Sequence, residues 1–483
     1  MVFSRRKFLS WAGASTLVTG LGTPLISCSS AQGRGFVALG FPKSPGYGAL
    51  SPQLPQNAAE LTATVAGDLS TRPLLALPSG FQYRVLSITG QPMDDGGRVP
   101  SHPDGMGVFW ANPQDPQSPM IIVRNHELRP GEGRFGVTEG VVVPPDDRYS
   151  LGATGGTVTL VIDRQRQVLR QFASLGGTLR NCSGGMTPWG SWITCEEGVG
   201  VTQDNRQSWF HGYNFEVWPH DRPQTQKSVP LVAMGRFLHE AIAVHPPTGH
   251  VYQTEDDLDS CLYRFVPQVP GQLAQGGRLY ALRLRDYPQG VNTSNNPNLG
   301  GKPGQIPVGQ ALGVDWVEIA NPNPLPEVNP QDTWVRHQAQ ALGAAVFFRG
   351  EGIGYDRGLM FFTATQGGPP ALEGPRGNGQ VWAYDPVAET LTLWVEAEPT
   401  GSLLDEPDNL TATPFGDLLI CEDGGGTQFV VGVSPQGELY HLLQNVLDNS
   451  EFAGICFAPD GETLVVNSQG VGITYAIWGP WDA

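Results

Sequence analysis

The sequence predicts an all-β fold, a six-bladed β-propeller with long inserted loops. The first observation is that 63 glycines and 42 prolines are spread along 483 residues, which leaves little room for long helices. The second is a recurring hairpin pattern, in which an apolar pair, a turn with Pro or Gly and an apolar run follow one another. The third is spacing. Pro459 follows Pro414 by 45 residues, close to the blade period of about 40 to 50 residues.

The hairpin pattern is clearest in residues 243–257, 413–423 and 457–466, each with a polar or acidic end. Similar strand pairs are predicted in residues 157–172 and 380–395. Four-stranded units repeated around an axis bury their faces against their neighbours. We therefore expect one propeller domain over residues 76–483. We expect a loop insertion near residues 285–335, which are rich in Asn, Pro and Gly and lack strand periodicity.

The N-terminal residues predict targeting instead of a fold element. Arg5 and Arg6 precede Phe-Leu and an apolar stretch, which is typical of a twin-arginine signal segment over residues 1–30. We expect export to the periplasm or the exterior. Cys28 follows Leu-Ile-Ser and fits lipoprotein processing, so a lipid anchor at Cys28 and simple cleavage are both open. Residues 31–75 are expected to form an extended N-terminal segment.

The charge balance argues against nucleic acid as a partner, because the formal net charge is −17. An acidic chain suits cation binding instead. No later stretch reaches the length of about 18 apolar residues that a membrane crossing requires, so we expect a soluble or tethered mature chain. The six cysteines lack zinc-site spacing. Cys195, Cys421 and Cys456 lie in apolar runs and are predicted to be buried in strands, whereas Cys182 stands in a glycine-rich turn.

Acidic residues recur where apolar runs end. Any one of them taken alone is a solvated loop acid or a turn cap. Gathered at one pole of a propeller, they would repel one another unless cations neutralised them. Oxygen-rich ligand sets suit calcium, and sets that add imidazole or thiolate suit iron. The candidate metal ligands at such ends are Glu127, Glu196, Glu197, Glu240, Glu351, Asp405 and Asp408.

One stretch is highly specific. It contains Asn181-Cys182-Ser183-Gly184-Gly185, then Thr187-Pro188-Trp189-Gly190, then Thr194-Cys195-Glu196-Glu197. This pattern resembles the PhoX-type alkaline phosphatases. Segments 125–127, 235–240, 348–352, 406–410, 452–461 and 479–481 are similar to that family too. The resemblance implies a monomeric, secreted β-propeller that uses iron and calcium and leaves the cytoplasm by the twin-arginine route.

The resemblance also implies a site with two ferric ions (Fe3+) and calcium ions (Ca2+) around an oxo-centred bridge. Cys182 would be the thiolate ligand of iron. The carboxylate ligands would be Glu240, Glu351, Asp408, one of Glu196 or Glu197, and Glu127. Arg349 would hold phosphate oxygens, which its fork of N–H donors suits. Asn125 and Asn181 would fix a phosphate oxygen or a metal, or merely close their turns, and His126 and His239 would orient neighbouring ligands.

These residues predict a metal-dependent phosphatase that releases phosphate from monoesters or diesters. One alternative is a calcium-dependent propeller hydrolase of lactones or phosphotriesters, which Cys182 argues against. Another is a non-enzymatic propeller scaffold that keeps metals for stability. Residues 254–265 are similar to a shorter subgroup of the family, for which the activity follows less directly than the fold.

Overall fold

A computed structural model of the chain describes residues 46–204, 207–300, 303–326, 334–372 and 374–481. The predicted signal segment, with Arg5, Arg6 and Cys28, lies outside the described residues. Regular structure is almost all β, and no described helix has the length and apolar character that spanning a bilayer requires. The predicted all-β class is confirmed.

The strands occur in chain order as follows. Three precede the first blade: β1 (Ser51–Gln53), β2 (Leu75–Leu77) and β3 (Gln82–Ile88). Blade 1 is a four-stranded sheet: β4 (Pro103–Trp110), β5 (Met120–His126), β6 (Gly155–Ile162) and β7 (Val168–Thr178). Blade 2 pairs β8 (Asn181–Met186), β9 (Trp192–Glu196) and β12 (Asn214–Val217), with a separate hairpin of β10 (Val201–Asp204) and β11 (Gln207–Phe210).

Blade 3 consists of β13 (His239–His245), β14 (His250–Glu255), β15 (Tyr263–Pro267) and β16 (Gly277–Leu284). The connection to blade 4 contains β17 (Val291–Asn292), β18 (Ala311–Glu318), the helix α1 (Val335–Ala341) and β19 (Ala345–Val346). Blade 4 consists of β20 (Gly350–Asp356), β21 (Leu359–Ala364), β22 (Gln380–Asp385) and β23 (Thr390–Glu396).

Blade 5 consists of β24 (Pro407–Ala412), β25 (Leu418–Glu422), β26 (Phe429–Val433) and β27 (Leu439–Asn445). Blade 6 combines β28 (Phe452–Phe457), β29 (Leu464–Ser468) and β30 (Ile473–Trp478) with β3. The β3–β30 pairing therefore closes the ring with strands from distant parts of the chain. Strands β1 and β2 extend blade 5, because β2 pairs with β27.

The innermost strands β4, β8, β13, β20, β24 and β28 contact one another in a closed cycle within the described residues. Close approach requires small side chains at the third position of several of these strands. A Cβ added to Gly105 would lie 2.6 Å from the Ser183 Cα, and one added to Gly454 would lie 2.2 Å from the Asp104 carbonyl oxygen. The cycle favours the predicted count of six blades.

The apolar runs of the sequence reflect burial on both faces of each blade. In β5, Ile121 packs in the cluster shared with blade 2, whereas the next residue, Ile122, packs in the cluster shared with blade 6. Clusters of this kind fill the space between each pair of neighbouring blades. The predicted burial of Cys195, Cys421 and Cys456 in strands is confirmed.

The predicted insertion over residues 285–335 is not free of regular structure. It contains β18, which pairs with β16 on one side and with β23 on the other and so joins the outer edges of blades 3 and 4. Leu312 and Val314 of β18 are buried and alternate with more accessible residues. This alternation over four residues indicates a strand, but the many Asn and Pro residues on either side of it led to the prediction of a loop.

Candidate metal centre

A polar cavity of about 310 Å³ lies where the innermost strands begin. Five of these strands each present a carboxylate or a thiol to it from their second residue. The sixth, β28, has Ala453 at this position, and Glu451 just before the strand lines the cavity instead. The five second-position residues are Asp104, Cys182, Glu240, Glu351 and Asp408.

A local irregularity near the start of each innermost strand accompanies this arrangement. The pairing register with the second strand of the blade shifts close to the second residue in all six blades that the described residues form. A bulge of this kind bends the strand and redirects side chains. It therefore separates the polar end of each innermost strand from the remainder of the strand, which packs against the neighbouring innermost strands.

The second strand of each blade runs back to the same pole and supplies another set of polar residues. In blade 1, the backbone N–H of Glu127 donates to the His102 carbonyl oxygen at 2.9 Å, and the equivalent bond recurs in the other blades. It fixes the residue after the second strand beside the residue before the innermost one. The cavity-lining residues at this position are Glu127, Glu197, Asp256, Asp423 and Gln469.

The acidic pairs in the sequence divide between two roles, because successive side chains in a strand point in opposite directions. Glu196 ends β9 and is fully buried away from the cavity lining. Its carboxylate accepts the backbone N–H groups of Leu179 and Gly212, each at 2.8 Å, and lies 2.7 Å from His211 Nδ1. Glu197 then faces the cavity. Glu196 therefore does not face the other candidate ligands, which corrects its prediction as a metal ligand.

Glu422 and Asp423 repeat this division in blade 5. Glu422 accepts the backbone N–H of Asp405 at 2.9 Å and that of Phe429 at 3.2 Å, whereas Asp423 lines the cavity. Asp405 itself lies outside the cavity lining, in the loop that Glu422 holds. The structure thus does not bring Asp405 to the other candidate ligands, although Asp408, three residues later, is among them.

Five cavity residues have ligand atoms close enough to share cations. Oxygens of Glu197 and Glu240 and the sulfur of Cys182 lie within 4.8 Å of one another. Oxygens of Glu240, Glu351 and Asp408 form a second such group, so Glu240 belongs to both. Opposite oxygen ligands of a calcium-sized cation lie up to about 5 Å apart. The spacing therefore fits cation coordination.

Electrostatics support the same conclusion. Burial and the charges of neighbouring carboxylates raise the pKa of Glu240, of Glu351 and of Asp408 well above their usual ranges. Burial and the charge of Glu127 raise the pKa of Asp104 to about 8. The Oδ1 atom of Asp104 is buried and has no hydrogen-bond partner among the described residues. Such a group is costly unless a cation or a proton satisfies it.

Cys182 lines the cavity and is also a buried member of the hydrophobic cluster between blades 2 and 3. Its Sγ donates to the His239 carbonyl oxygen at 3.2 Å and lies 3.6 Å from that of Glu240. Burial, with the charges of Glu240 and Glu197, raises the pKa of this thiol. A thiolate here would therefore require a bound cation.

The two asparagines that were candidate phosphate-binding residues are fully buried and lie outside the cavity lining. Asn125 Nδ2 donates to the carbonyl oxygens of Cys182 and Ser183, at 3.0 and 2.6 Å. Asn181 Nδ2 donates to Thr194 Oγ1 at 2.9 Å. These contacts lie away from the cavity and hold the chain around Cys182, which corrects the prediction that the two asparagines bind a phosphate oxygen or a metal.

Arg349 lines the cavity directly before β20, in a left-handed conformation with φ of 54°. Its Nε donates to Asp256 at 2.9 Å, one terminal nitrogen lies 2.7 Å from Glu351, and the other lies 3.1 Å from Asp423. The guanidinium is thus held among carboxylates from three blades. His126 and His239, the candidate orienting residues, are fully buried in strands outside the lining.

Several cavity residues were not among the predicted site residues. Asp104 follows no apolar run, so nothing marked it. Asp256 and Asp423 repeat the signal of Glu197, as the second acid of an acidic pair after an apolar run, and that repeat could have identified them. The missed residues are His102, Asp104, Arg129, Glu132, Arg180, Asp256, Asp423, Glu451 and Gln469.

A family model described as alkaline phosphatase PhoX matches residues 64–472. The chain belongs to the PhoX family. The structure of Pseudomonas fluorescens PhoX in complex with vanadate, a transition state analogue, is similar at 18% identity and a TM-score of 0.63, over 84% of this chain and 96% of that one. This similarity confirms the β-propeller fold.

Other solved structures are less similar. Virginiamycin B lyase from Staphylococcus aureus has 11% identity and a TM-score of 0.37, over 82% of this chain and 99% of that one. A gluconolactonase from Xanthomonas campestris has 13% identity and a TM-score of 0.36, over 90% of this chain and 98% of that one. The comparison with curated proteins gives no match.

Family membership confirms the predicted reaction class. The chain is a metal-dependent phosphatase of the PhoX family, and its substrates are phosphate esters.

Proposed function

We propose that this PhoX-family phosphatase hydrolyses phosphate monoesters at a centre of Fe3+ and Ca2+ ions, with Arg349 binding the phosphate oxygens. The observation that carries the proposal is the pair of ligand groups that share Glu240. One contains the sulfur of Cys182, and the other contains only carboxylate oxygens.

The chemistry of the two groups supports different cations. A thiolate combined with carboxylates suits iron, and a set of carboxylates alone suits calcium. Cys182, Glu197 and Glu240 would hold the first cation, and Glu240, Glu351 and Asp408 would hold the second. Asp104 and Glu127, which line the same cavity, are further candidate ligands. When bound, the cations stabilise the negative charge of the phosphoryl oxygens during displacement.

The protein's own residues would bind and orient the ester. The bidentate pairing with Asp256 uses one edge of the Arg349 guanidinium and keeps the group in one orientation, and the remaining N–H donors would bind the phosphate oxygens. An oriented donor set reduces the entropy cost of reaching the reactive geometry. The ion pair with Asp423 adds a support from the fifth blade.

Export and assembly belong to the same proposal. The Arg5-Arg6 pair supports export by the twin-arginine route, after which the enzyme would act in the periplasm or outside the cell. The position of Cys28 supports a lipid anchor as the alternative to a free mature chain. We propose that the protein acts as a monomer.

Activity and metal content test the proposal together. The purified protein should hydrolyse a generic aryl phosphate and lose this activity in a chelator, and metal analysis should find both iron and calcium. The Cys182→Ala variant should lose iron and at least about tenfold in rate, because one ligand to a shared centre is removed. Cys195→Ala is the matched control, since Cys195 is a buried thiol in the core between blades 2 and 3. Full activity of Cys182→Ala, or calcium without iron in the native enzyme, would contradict the proposal.

A further inference from the structure

Arg180 stands at the position in blade 2 that Arg349 occupies in blade 4. Each residue directly precedes an innermost strand, each has a left-handed backbone, with φ of 49° and 54°, and each lines the cavity. Their side chains are equally accessible, at 22%. The sequence offers no further sign of this equivalence, because the residues around the two arginines differ.

The contacts of Arg180 also match those of Arg349. Its Nε donates to Glu127 at 2.7 Å, a terminal nitrogen contacts the same Glu127 oxygen, and ion pairs reach both oxygens of Glu197, at 2.9 and 2.7 Å. Two carboxylates therefore fix the guanidinium. A guanidinium has five N–H donors. Three of them make the hydrogen bonds to Glu127 and Glu197, and the contact with the second Glu197 oxygen is an ion pair.

The two arginines flank the shared ligand Glu240. Arg180 pairs with Glu197 of the thiol-containing group, and Arg349 pairs with Glu351 of the carboxylate group. Arg349 likewise uses three of its donors in hydrogen bonds to Asp256 and Asp423, and it contacts Glu351 as an ion pair. Each arginine thus keeps two donors beyond these hydrogen bonds among the described residues. A phosphoryl group has three terminal oxygens, so donors from both arginines would bind it more tightly than the donors of one.

We propose that Arg180 is a second phosphate-binding residue, so that Arg180 and Arg349 form a two-arginine clamp on the phosphoryl group from the two sides of Glu240. The inference rests on the proposed role of Arg349. Both guanidiniums are held by carboxylates before substrate arrives, which is the preorganisation that electrostatic binding of an anion requires. The alternative is that Arg180 only braces Glu127 and Glu197.

Inorganic phosphate is the probe that separates these roles. In Arg180→Gln we expect the inhibition constant for phosphate and the KM for an aryl phosphate to rise about tenfold each, the equivalent of about 1.4 kcal/mol, with metal content unchanged. Arg180→Lys should recover part of the affinity, because it keeps the charge but not the fork. Arg84→Gln is the matched control, since Arg84 forms an ion pair with Glu60 outside the cavity.

An unchanged inhibition constant for phosphate in both Arg180 variants would overturn the clamp, and so would a loss of metal that accounts for all of the lost affinity. Failure of the proposed function is distinguishable. If the native enzyme does not turn over the aryl phosphate, calorimetric binding of phosphate to the native protein and to Arg180→Gln still decides the role of Arg180. Equal dissociation constants, or no phosphate binding by the native protein, would overturn it.

Discussion

The position of single residues along a strand decides which acids of this protein face the cavity. Glu196 and Glu197 are adjacent and chemically identical, yet only Glu197 lines the cavity. Glu196 accepts the backbone N–H of Leu179, in the loop before β8, and that of Gly212, in the loop before β12. The strand geometry therefore assigns one carboxylate to the fold and its neighbour to the candidate centre.

Replacing each of these glutamates by glutamine should separate stability from metal binding. Glu196→Gln should lower the free energy of unfolding by about 1 to 3 kcal/mol, because charge-assisted hydrogen bonds to buried N–H groups are weakened. Glu197→Gln should leave the unfolding midpoint of the chelated protein nearly unchanged and reduce bound metal. Denaturant unfolding and metal analysis of both variants check this. The division of roles fails if Glu196→Gln reduces metal content while Glu197→Gln does not.

Many of the individual residues of the candidate centre could be predicted from the sequence. The motif around Cys182 indicated the family, and the sequence motifs together included five of the seven residues whose ligand atoms form the two groups or hold Arg349 beside them. The five are Cys182, Glu197, Glu240, Glu351 and Asp408, and the two that were missed are Asp256 and Asp423. The choice between Glu196 and Glu197 stayed open, because it depends on the residue at which β9 ends. Asn125 and Asn181 were predicted as site residues because they lie beside candidate ligands in the sequence. A sequence motif does not show whether such a polar side chain contacts the site or the backbone.

At the scale of elements, the innermost strands are built for close contact. Gly454 of β28 has a left-handed backbone with φ of 64°, and a Cβ there would lie 2.2 Å from the Asp104 carbonyl oxygen. This contact joins blade 6 to blade 1 beside a cavity residue. A glycine is required for both reasons, the conformation and the space.

Gly454→Ala should therefore destabilise the protein by about 1 to 3 kcal/mol or more, since the obstructing atom belongs to the backbone. Gly425→Ala is the matched control, because a Cβ at Gly425 meets nothing within 4 Å. Thermal unfolding of the two variants measures the difference. Equal midpoints would show that the contact between β28 and β4 is looser than the structure has it.

Strands with a clear local sequence pattern could be predicted from the sequence. Hairpins with an apolar run and a Pro-Gly turn were recognisable, as in β28 and β29. The strand β18 was not, because only Leu312 and Val314 mark its buried face and it pairs with two strands that are distant in sequence. Non-local pairing of this kind leaves little trace in a short window.

At the scale of the whole molecule, the cavity concentrates negative charge where the blades converge. Without cations, protonation is the remaining way to neutralise these carboxylates. The pKa of Asp104, raised by burial to about 8, lies far above the usual range of an aspartate. Folded metal-free protein would then bind more protons than the unfolded chain at intermediate pH, so its stability should fall as pH rises.

We accordingly expect the unfolding midpoint of the chelated protein to decrease between pH 5 and pH 8, as raised pKa values in the folded state require. Restoring cations should remove most of this decrease, because they neutralise the ionised carboxylates. Thermal unfolding with and without chelator at several pH values checks the prediction. A midpoint that rises with pH in the chelated protein would contradict it.

The pairing of β3 with β30 has a consequence for biosynthesis. The ribosome makes β30 after β3 and after the strands of five blades, and the free edge of β3 has no partner until β30 is made. Before that point blade 6 is incomplete, and the pole at which Asp104 and Glu451 meet residues of the other blades is not formed. Metal binding at the cavity would therefore follow the synthesis of β30, and a chain that stopped before β30 would have an unpaired strand and no formed site.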